Sequence, residues 1–371
     1  MNTALQASGA GLGAKLNQYT TGEYRGATTA ARFSDPQAEF DEFRTGCGVY
    51  DLGYRAKIQL TGSDRVRWLN GMVTNNIRDL AAAHGVYAFL LNPQGHILGD
   101  LYAYNRGDSI LIDTDQSQRE KILATFDHYI IMDDVEVADL SGKMTAIGVA
   151  GPRSREAMAA TGIKVGYLEP LQLQATTWSG GECCLVRAED EGVPRFEIWI
   201  DSGNVRPLWD ALIGAGATHI GSEALELLRI ASGIPQYGVD IRERDLPQET
   251  EQARALNFNK GCYIGQEIVE RIRSRGAVHR KFTGFVAEGK VQFAADMRIV
   301  SGEKEVGEVT SAASLTLGGA EKTIALGYIR REAGVPGSEV SIAGINAIVA
   351  PLPAEVAPRR QEDQLLEHRR A

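Results

Sequence analysis

The 371-residue chain carries 39 Lys plus Arg against 48 Asp plus Glu, a net charge of −9, with 43% hydrophobic and 23% charged residues. That balance fits a soluble globular protein of two or three domains and speaks against general binding to a phosphate backbone. No run approaches the ~20 apolar residues a bilayer requires, the N-terminus lacks a leader's basic start and apolar core, and four scattered cysteines without a CxxC pair point to a reducing, cytoplasmic compartment.

Residues 1–45 mix Gly, Thr and Ala and read as an irregular lead-in. Within it the GAGLGA run at 9–14 formally matches a dinucleotide-binding glycine pattern, but no strand precedes it to aim a phosphate at a helix. Alternation at 57–60 predicts a half-buried strand, and Ser63-Asp64 can cap a short helix bearing Val66 and Leu69. A strand at 86–91, the turn Asn92-Pro93-Gln94-Gly95 and a return strand at 96–104 form a hairpin. A strand at 109–113 and an amphipathic helix over 116–129 complete this unit. Strands follow at 144–149, 183–186 and 196–200, with helices over 203–214 and 222–232. A further helix fits 263–274, where Ile264, Ile268 and Ile272 share a face, with Gly276 as its C-terminal stop. After 280 the texture changes to short strands at 282–286, 305–310, 323–329 and 346–350 between Gly-rich turns, the signature of an antiparallel barrel. The chain thus divides into α+β units over 46–140 and 141–279, in some degree interleaved, a barrel over 280–353 and a charged tail at 354–371.

The six histidines never reach ligand spacing and no metal site is expected. Cys183 and Cys184 sit in a strand, on opposite faces, as packing residues. The densest chemistry is the octapeptide KGCYIGQE, comprising Lys260, Gly261, Cys262, Tyr263, Ile264, Gly265, Gln266 and Glu267. A thiol in the first turn of a helix meets unpaired N–H groups and the positive dipole end, which favour thiolate, and a nearby Lys260 ammonium adds to that push. Immediately beyond, Arg271, Arg273, Arg275, Arg280 and Lys281 make a basic strip suited to a polyanion or an acidic partner, or else form a solvated helix face.

The octapeptide resembles the signature of the YgfZ family, folate-binding proteins linked to iron–sulfur cluster assembly and repair. Over about residues 45–350 further segments resemble, in order, landmarks of the glycine-cleavage T-protein superfamily. These are GVYDLGYRAKIQLTGSDRVRWLNGMVTNNI, LLNPQGHILGDLYAY, EALELLRIASGIPQYGVDI with LPQE, EVGEVTSAA and TIALGYI. The resemblance implies an aminomethyltransferase-like α+β fold, with two α+β domains and a C-terminal antiparallel β-barrel around a central tetrahydrofolate channel. By position, Glu197 matches the carboxylate that grips the pterin edge, Arg229 and Tyr237 lie in a landmark near the folate, and Asp100 matches one acid of the Asp-Asp pair that guides one-carbon chemistry. Plainer roles also fit: Asp100 as a turn cap, Glu197 as a partner of Arg195, Arg229 as a surface helix residue.

Two departures, Gly99 in place of the second acid and a changed loop over 189–195, argue against ordinary aminomethyl transfer. The expected function is therefore that of a tetrahydrofolate-binding factor that serves iron–sulfur scaffold or client proteins through a reactive Cys262, which can share a cluster with a partner's thiols. The alternative is a folate-dependent aminomethyltransferase or demethylase using Asp100. An RNA-binding module using the arginine strip is a weaker third reading.

Overall fold

The computed structural model describes residues 1–7, 19–189, 192–276 and 278–353; the glycine run at 9–14 and the tail at 354–371 lie outside them. The expected lead-in holds regular structure: a short helix α1 (Ala4–Ala7), a hairpin of β1 (Thr20–Tyr24) and β2 (Ala27–Arg32), and helix α2 (Pro36–Thr45). Helix α2 starts as its sequence dictates. Asp35 accepts from the Ala38 N–H, Pro36 takes the first helical position, and Phe40 and Phe43 bury the inner face.

Strand β3 (Gly48–Asp51) follows, then β4 (Arg55–Thr61), α3 (Arg65–Met72), β5 (His84–Leu91), β6 (Ile97–Asn105), β7 (Ile110–Asp115), α4 (Gln116–Tyr129) and β8 (Glu136–Asp139). Ser63 does not cap α3; its N–H and hydroxyl bond Asp134 instead. The order β5-β6-β7-β4-β8 makes a five-stranded antiparallel sheet whose apolar face is covered by α3 and α4.

The second half begins with β9 (Met144–Ala150) and α5 (Ser154–Ala160). It continues through β10 (Leu173–Trp178), β11 (Gly181–Arg187), β12 (Arg195–Asp201), α6 (Val205–Gly214), β13 (Thr218–Ile220) and α7 (Ser222–Ala231). Its six-stranded sheet has the order β10-β11-β12-β9-β3-β13, so β3 leaves the first unit to pair with β9 and β13 in the second. Cys183 faces one apolar cluster and Cys184 the other, the alternation a strand requires.

Two 3-10 turns, Pro247–Glu249 and Ala253–Ala255, lead to helix α8 (Gln266–Arg275). Beyond it β14 (Arg280–Glu288), β15 (Arg298–Ser301), β16 (Lys304–Leu317), β17 (Ala320–Arg330), β18 (Glu339–Ile342) and β19 (Ile345–Ala350) close a barrel in the order β14-β17-β16-β15-β18-β19. This is the α+β fold with a closed antiparallel C-terminal barrel that the sequence predicts. Among the described residues no helix is long and apolar enough to cross a membrane.

Helix α8 starts three residues later than its apolar spacing predicts. Gly265, at its N-cap, has φ +81°, a left-handed turn that stops the helix from extending back through the octapeptide. A Cβ at 265 would lie 2.6 Å from the Asn92 carbonyl oxygen, and one at Gly95 would lie 2.8 Å from the Ile268 Cβ. The two glycines let the start of α8 seat directly on the β5–β6 turn.

Candidate active site

A central cavity of about 130 Å³ lies between the two sheets, α7 and the segment from Ile234 to Tyr237. Seven of the chain's 12 tyrosines line it: Tyr24, Tyr50, Tyr54, Tyr87, Tyr102, Tyr104 and Tyr237. Two of these rings depend on glycines in the neighbouring strand. A Cβ at Gly148 would fall 2.0 Å from the Tyr50 ring, and one at Gly85 would fall 2.4 Å from the Tyr104 ring. Both pairs are in cross-strand register, so each glycine lets its tyrosine lie flat over the sheet.

The acids of the cavity fall into two kinds. Asp115 is bonded by Arg25 and Arg55, and Asp113 behind it by Arg55 and the fully buried Lys57, so their charges are spent on guanidinium and ammonium groups. Asp100 and Glu197 have only neutral partners among the described residues. Asp100, on β6, accepts from the Tyr87 hydroxyl at 2.7 Å and from the Gln118 amide at 2.7 Å. Burial first, and the Asp115 charge second, push its carboxyl above the ordinary value of 3.8. Glu197, on β12, accepts from the Trp199 indole N–H at 2.8 Å and makes no ion pair with another described residue. Neither therefore takes the plainer role its sequence allows, turn cap or partner of Arg195.

Arg229 is no surface residue. It is 3% exposed, and its guanidinium bonds Glu226, the Ile234 carbonyl, Asp240 and the Ser311 hydroxyl of the barrel. Burial opposes its charge, but the Asp240 and Glu226 carboxylates overcome that and raise its pKa. It lines the cavity as framework, with its donors engaged by protein. Tyr237 is 8% exposed and accepts from Lys121 at 3.0 Å. At the mouth, Glu189 pairs with Arg254 and accepts from the Tyr102 hydroxyl at 3.0 Å, while Arg254 stacks over the Tyr87 ring.

The octapeptide is built differently from its sequence-based expectation. Cys262 is exposed, precedes the α8 N-cap by three residues and is absent from the cavity lining. Gly265 ends the helix before it reaches Cys262, so the thiol does not sit in the first turn that the sequence predicts. Lys260 is turned away from the thiol. Its ammonium donates to the carbonyls of Asn70, Val73 and Asn75 at 2.6, 2.5 and 2.7 Å and closes the C-terminal end of α3. Tyr263 packs inward against Tyr87 and Tyr237, Gln266 begins α8, and Glu267 is exposed in its first turn. The basic strip is likewise dispersed. Arg271 and Arg273 are exposed on α8, with Arg273 over the Phe258 ring. Arg280 turns to Asp245 and Glu249, locking the barrel to the 242–249 segment, and Lys281 lies in a groove beside Arg254. The Arg275 side chain lies outside the described residues.

Position 99 corrects the argument drawn from its missing acid. Its Cβ direction meets Gln118 and Ile122 of α4, neither of which lines the cavity, while Asp100 on the opposite face does. A glycine there removes no carboxylate from the site.

Residues 1–260 match the GCVT N-terminal domain family. The chain belongs to that family. Among GcvT-like relatives, aminomethyltransferases of Rubrobacter xylanophilus and Rippkaea orientalis are each 28% identical to it. They align over 91% of this chain and over 88% and 94% of their own lengths. A putative chloroplastic transferase of Arabidopsis thaliana is 26% identical over 86% of this chain and 74% of its own. The crystal structure of the glycine cleavage system aminomethyltransferase T from Bartonella henselae superposes with a TM-score of 0.83, at 21% identity, covering 92% of this chain and 96% of that one. The GcvT-like fold is thus established across nearly the whole chain. The narrower resemblance to iron–sulfur maintenance proteins rests on the octapeptide alone.

Proposed function

We propose that this chain is a folate-dependent one-carbon transferase of the aminomethyl class, with tetrahydrofolate in the central cavity. The observation that carries the reading is the pair Asp100 and Glu197, two carboxylates that reach one cavity from different sheets with only neutral partners. The donor set suits the ligand. Glu197 retains lone pairs for two parallel hydrogen bonds from the guanidine-like edge of a pterin, and tyrosine rings offer flat apolar faces with polar tips to the pterin and aminobenzoyl rings. Tetrahydrofolate bound there supplies the nitrogens that receive the one-carbon unit. Asp100, both oxygens fixed by Tyr87 and Gln118, holds a carboxylate in a set place to orient an incoming amine and take its proton. Tyr237 stands on the same wall, and Arg229 shapes it.

The test is turnover with tetrahydrofolate and a protein-bound or free aminomethyl donor. Wild-type turnover abolished by Asp100→Asn and retained by Cys262→Ser supports the reading; the opposite dependence rejects it.

A second reading, an iron–sulfur assembly or repair factor, is favoured by one observation, the exposure of Cys262. One thiol cannot hold a cluster, so this role requires a scaffold or client protein to supply the remaining ligands. Full rescue of iron–sulfur enzyme activity by Cys262→Ala, in cells lacking their own family member, removes it.

A further inference from the structure

Glu197 is held by a device that the sequence landmarks do not mark. Its carboxylate is met by the indole N–H of Trp199, two residues along β12 and on the same strand face. Trp199 is 1% exposed and has no room to turn. The Tyr104 ring abuts it edge-on at 4.9 Å and 89°. Over its face sits the ammonium of Lys57, 4.4 Å from the ring centroid, brought from β4 of the other sheet. Lys57 is 0% exposed, and Asp113 lies 2.8 Å from its ammonium. A cation on an indole face draws π-density toward itself, which makes the N–H more acidic and a better donor to an anion.

With Oε2 tied to the indole, Oε1 has no partner among the described residues and is left for a ligand in the cavity that Glu197 lines. From this geometry we propose that Trp199, polarised by the buried Lys57, is a positioning residue that aims Glu197 at a ligand presenting a planar amino and ring N–H edge. The inference rests on the folate reading of the cavity and adds to it the residue that sets recognition of that edge.

The test compares the full chain with Trp199→Phe and Glu197→Gln, titrating each calorimetrically with tetrahydrofolate and with its analogue lacking the 2-amino group. Trp199→Phe keeps an aromatic ring against Tyr104 and loses the N–H. It is expected to weaken tetrahydrofolate binding about tenfold and to leave affinity for the desamino analogue within about twofold, because a charge-assisted hydrogen bond is lost only where it serves the amino edge. Equal weakening toward both ligands would mean general damage to the cavity and would overturn the inference. So would unchanged tetrahydrofolate affinity in Trp199→Phe alongside weak binding by Glu197→Gln. If Glu197→Gln itself binds like wild type, the folate reading falls and the inference with it. Should Trp199→Phe fail to fold, benzothienylalanine placed at position 199 removes the N–H with ring size retained, and the same comparison decides.

Discussion

Gly148→Ala puts the cavity wall under a direct test. The added Cβ would lie 2.0 Å from Cε2 and 2.2 Å from Cζ of Tyr50, against an ordinary carbon–carbon contact of about 3.5 Å, so the ring must retreat by roughly 1.5 Å. It has two ways to go. Phe43 blocks one side, edge-on at 6.0 Å, and the cavity lies on the other. A ring pressed back against Phe43 costs about 1–3 kcal/mol of overpacking, offset by about 0.4–1 kcal/mol from the stiffer unfolded chain. A ring that moves fills the ligand site. The variant should therefore lose about 1–2 kcal/mol in urea unfolding, or lose tetrahydrofolate affinity, or both. Gly142→Ala is the matched control, since a Cβ there meets nothing within 4 Å. In a Tyr50→Leu background the Gly148→Ala penalty should vanish, a non-additivity expected only of residues in contact. Unchanged stability and unchanged affinity in Gly148→Ala would refute the packing argument.

Three further outcomes are expected. Asp100→Asn should lower one-carbon turnover roughly 10²–10⁴-fold. Because burial and Asp115 raise the Asp100 pKa above 3.8, wild-type turnover should fall as pH drops through that raised value, a limb the Asn variant lacks; a limb shared by both would assign it elsewhere. Lys260→Met should cost on the order of 2–4 kcal/mol, as three carbonyls at the end of α3 lose their donor. Burial pulls Lys260 down to about 7 from 10.5, so between those values the unfolded chain binds the extra proton and this group's contribution to stability rises with pH; in Lys260→Met that slope should disappear from pH-dependent melts. Iodoacetamide should alkylate native Cys262 well before Cys47 and Cys183, which are buried, and peptide mapping reads the order; Cys262→Ala should leave tetrahydrofolate-dependent turnover within about twofold.

The barrel and most strands are legible in the sequence because alternation and Gly-rich turns are local signals. The helix over 116–129 matches α4, since its apolar spacing and flanking turns agree. Helix α2 escapes the same reading although Ser34-Asp35-Pro36 is a helix-start signal; the Gly- and Thr-rich surroundings mask it. The octapeptide shows the limit of local patterns. Ile264, Ile268 and Ile272 carry helical spacing through Gly265, and only the docking of that glycine on the β5–β6 turn sets where α8 begins. Asp100 and Glu197 are reached by position through the family resemblance, which assigns no role to Trp199, Lys57, Tyr87 and Gln118. Their roles come from strands distant in sequence, and no spacing rule brings Lys57 over Trp199. Gly99 misleads because a linear motif counts acids without recording which face of the strand they occupy.

Arg229 holds four parts of the molecule with one side chain: its own helix through Glu226, the Ile234 turn, the Asp240 loop and barrel strand β16. Parting the barrel from α7 would strand a guanidinium and a fully buried carboxylate in a dry seam, which makes that joint a weld.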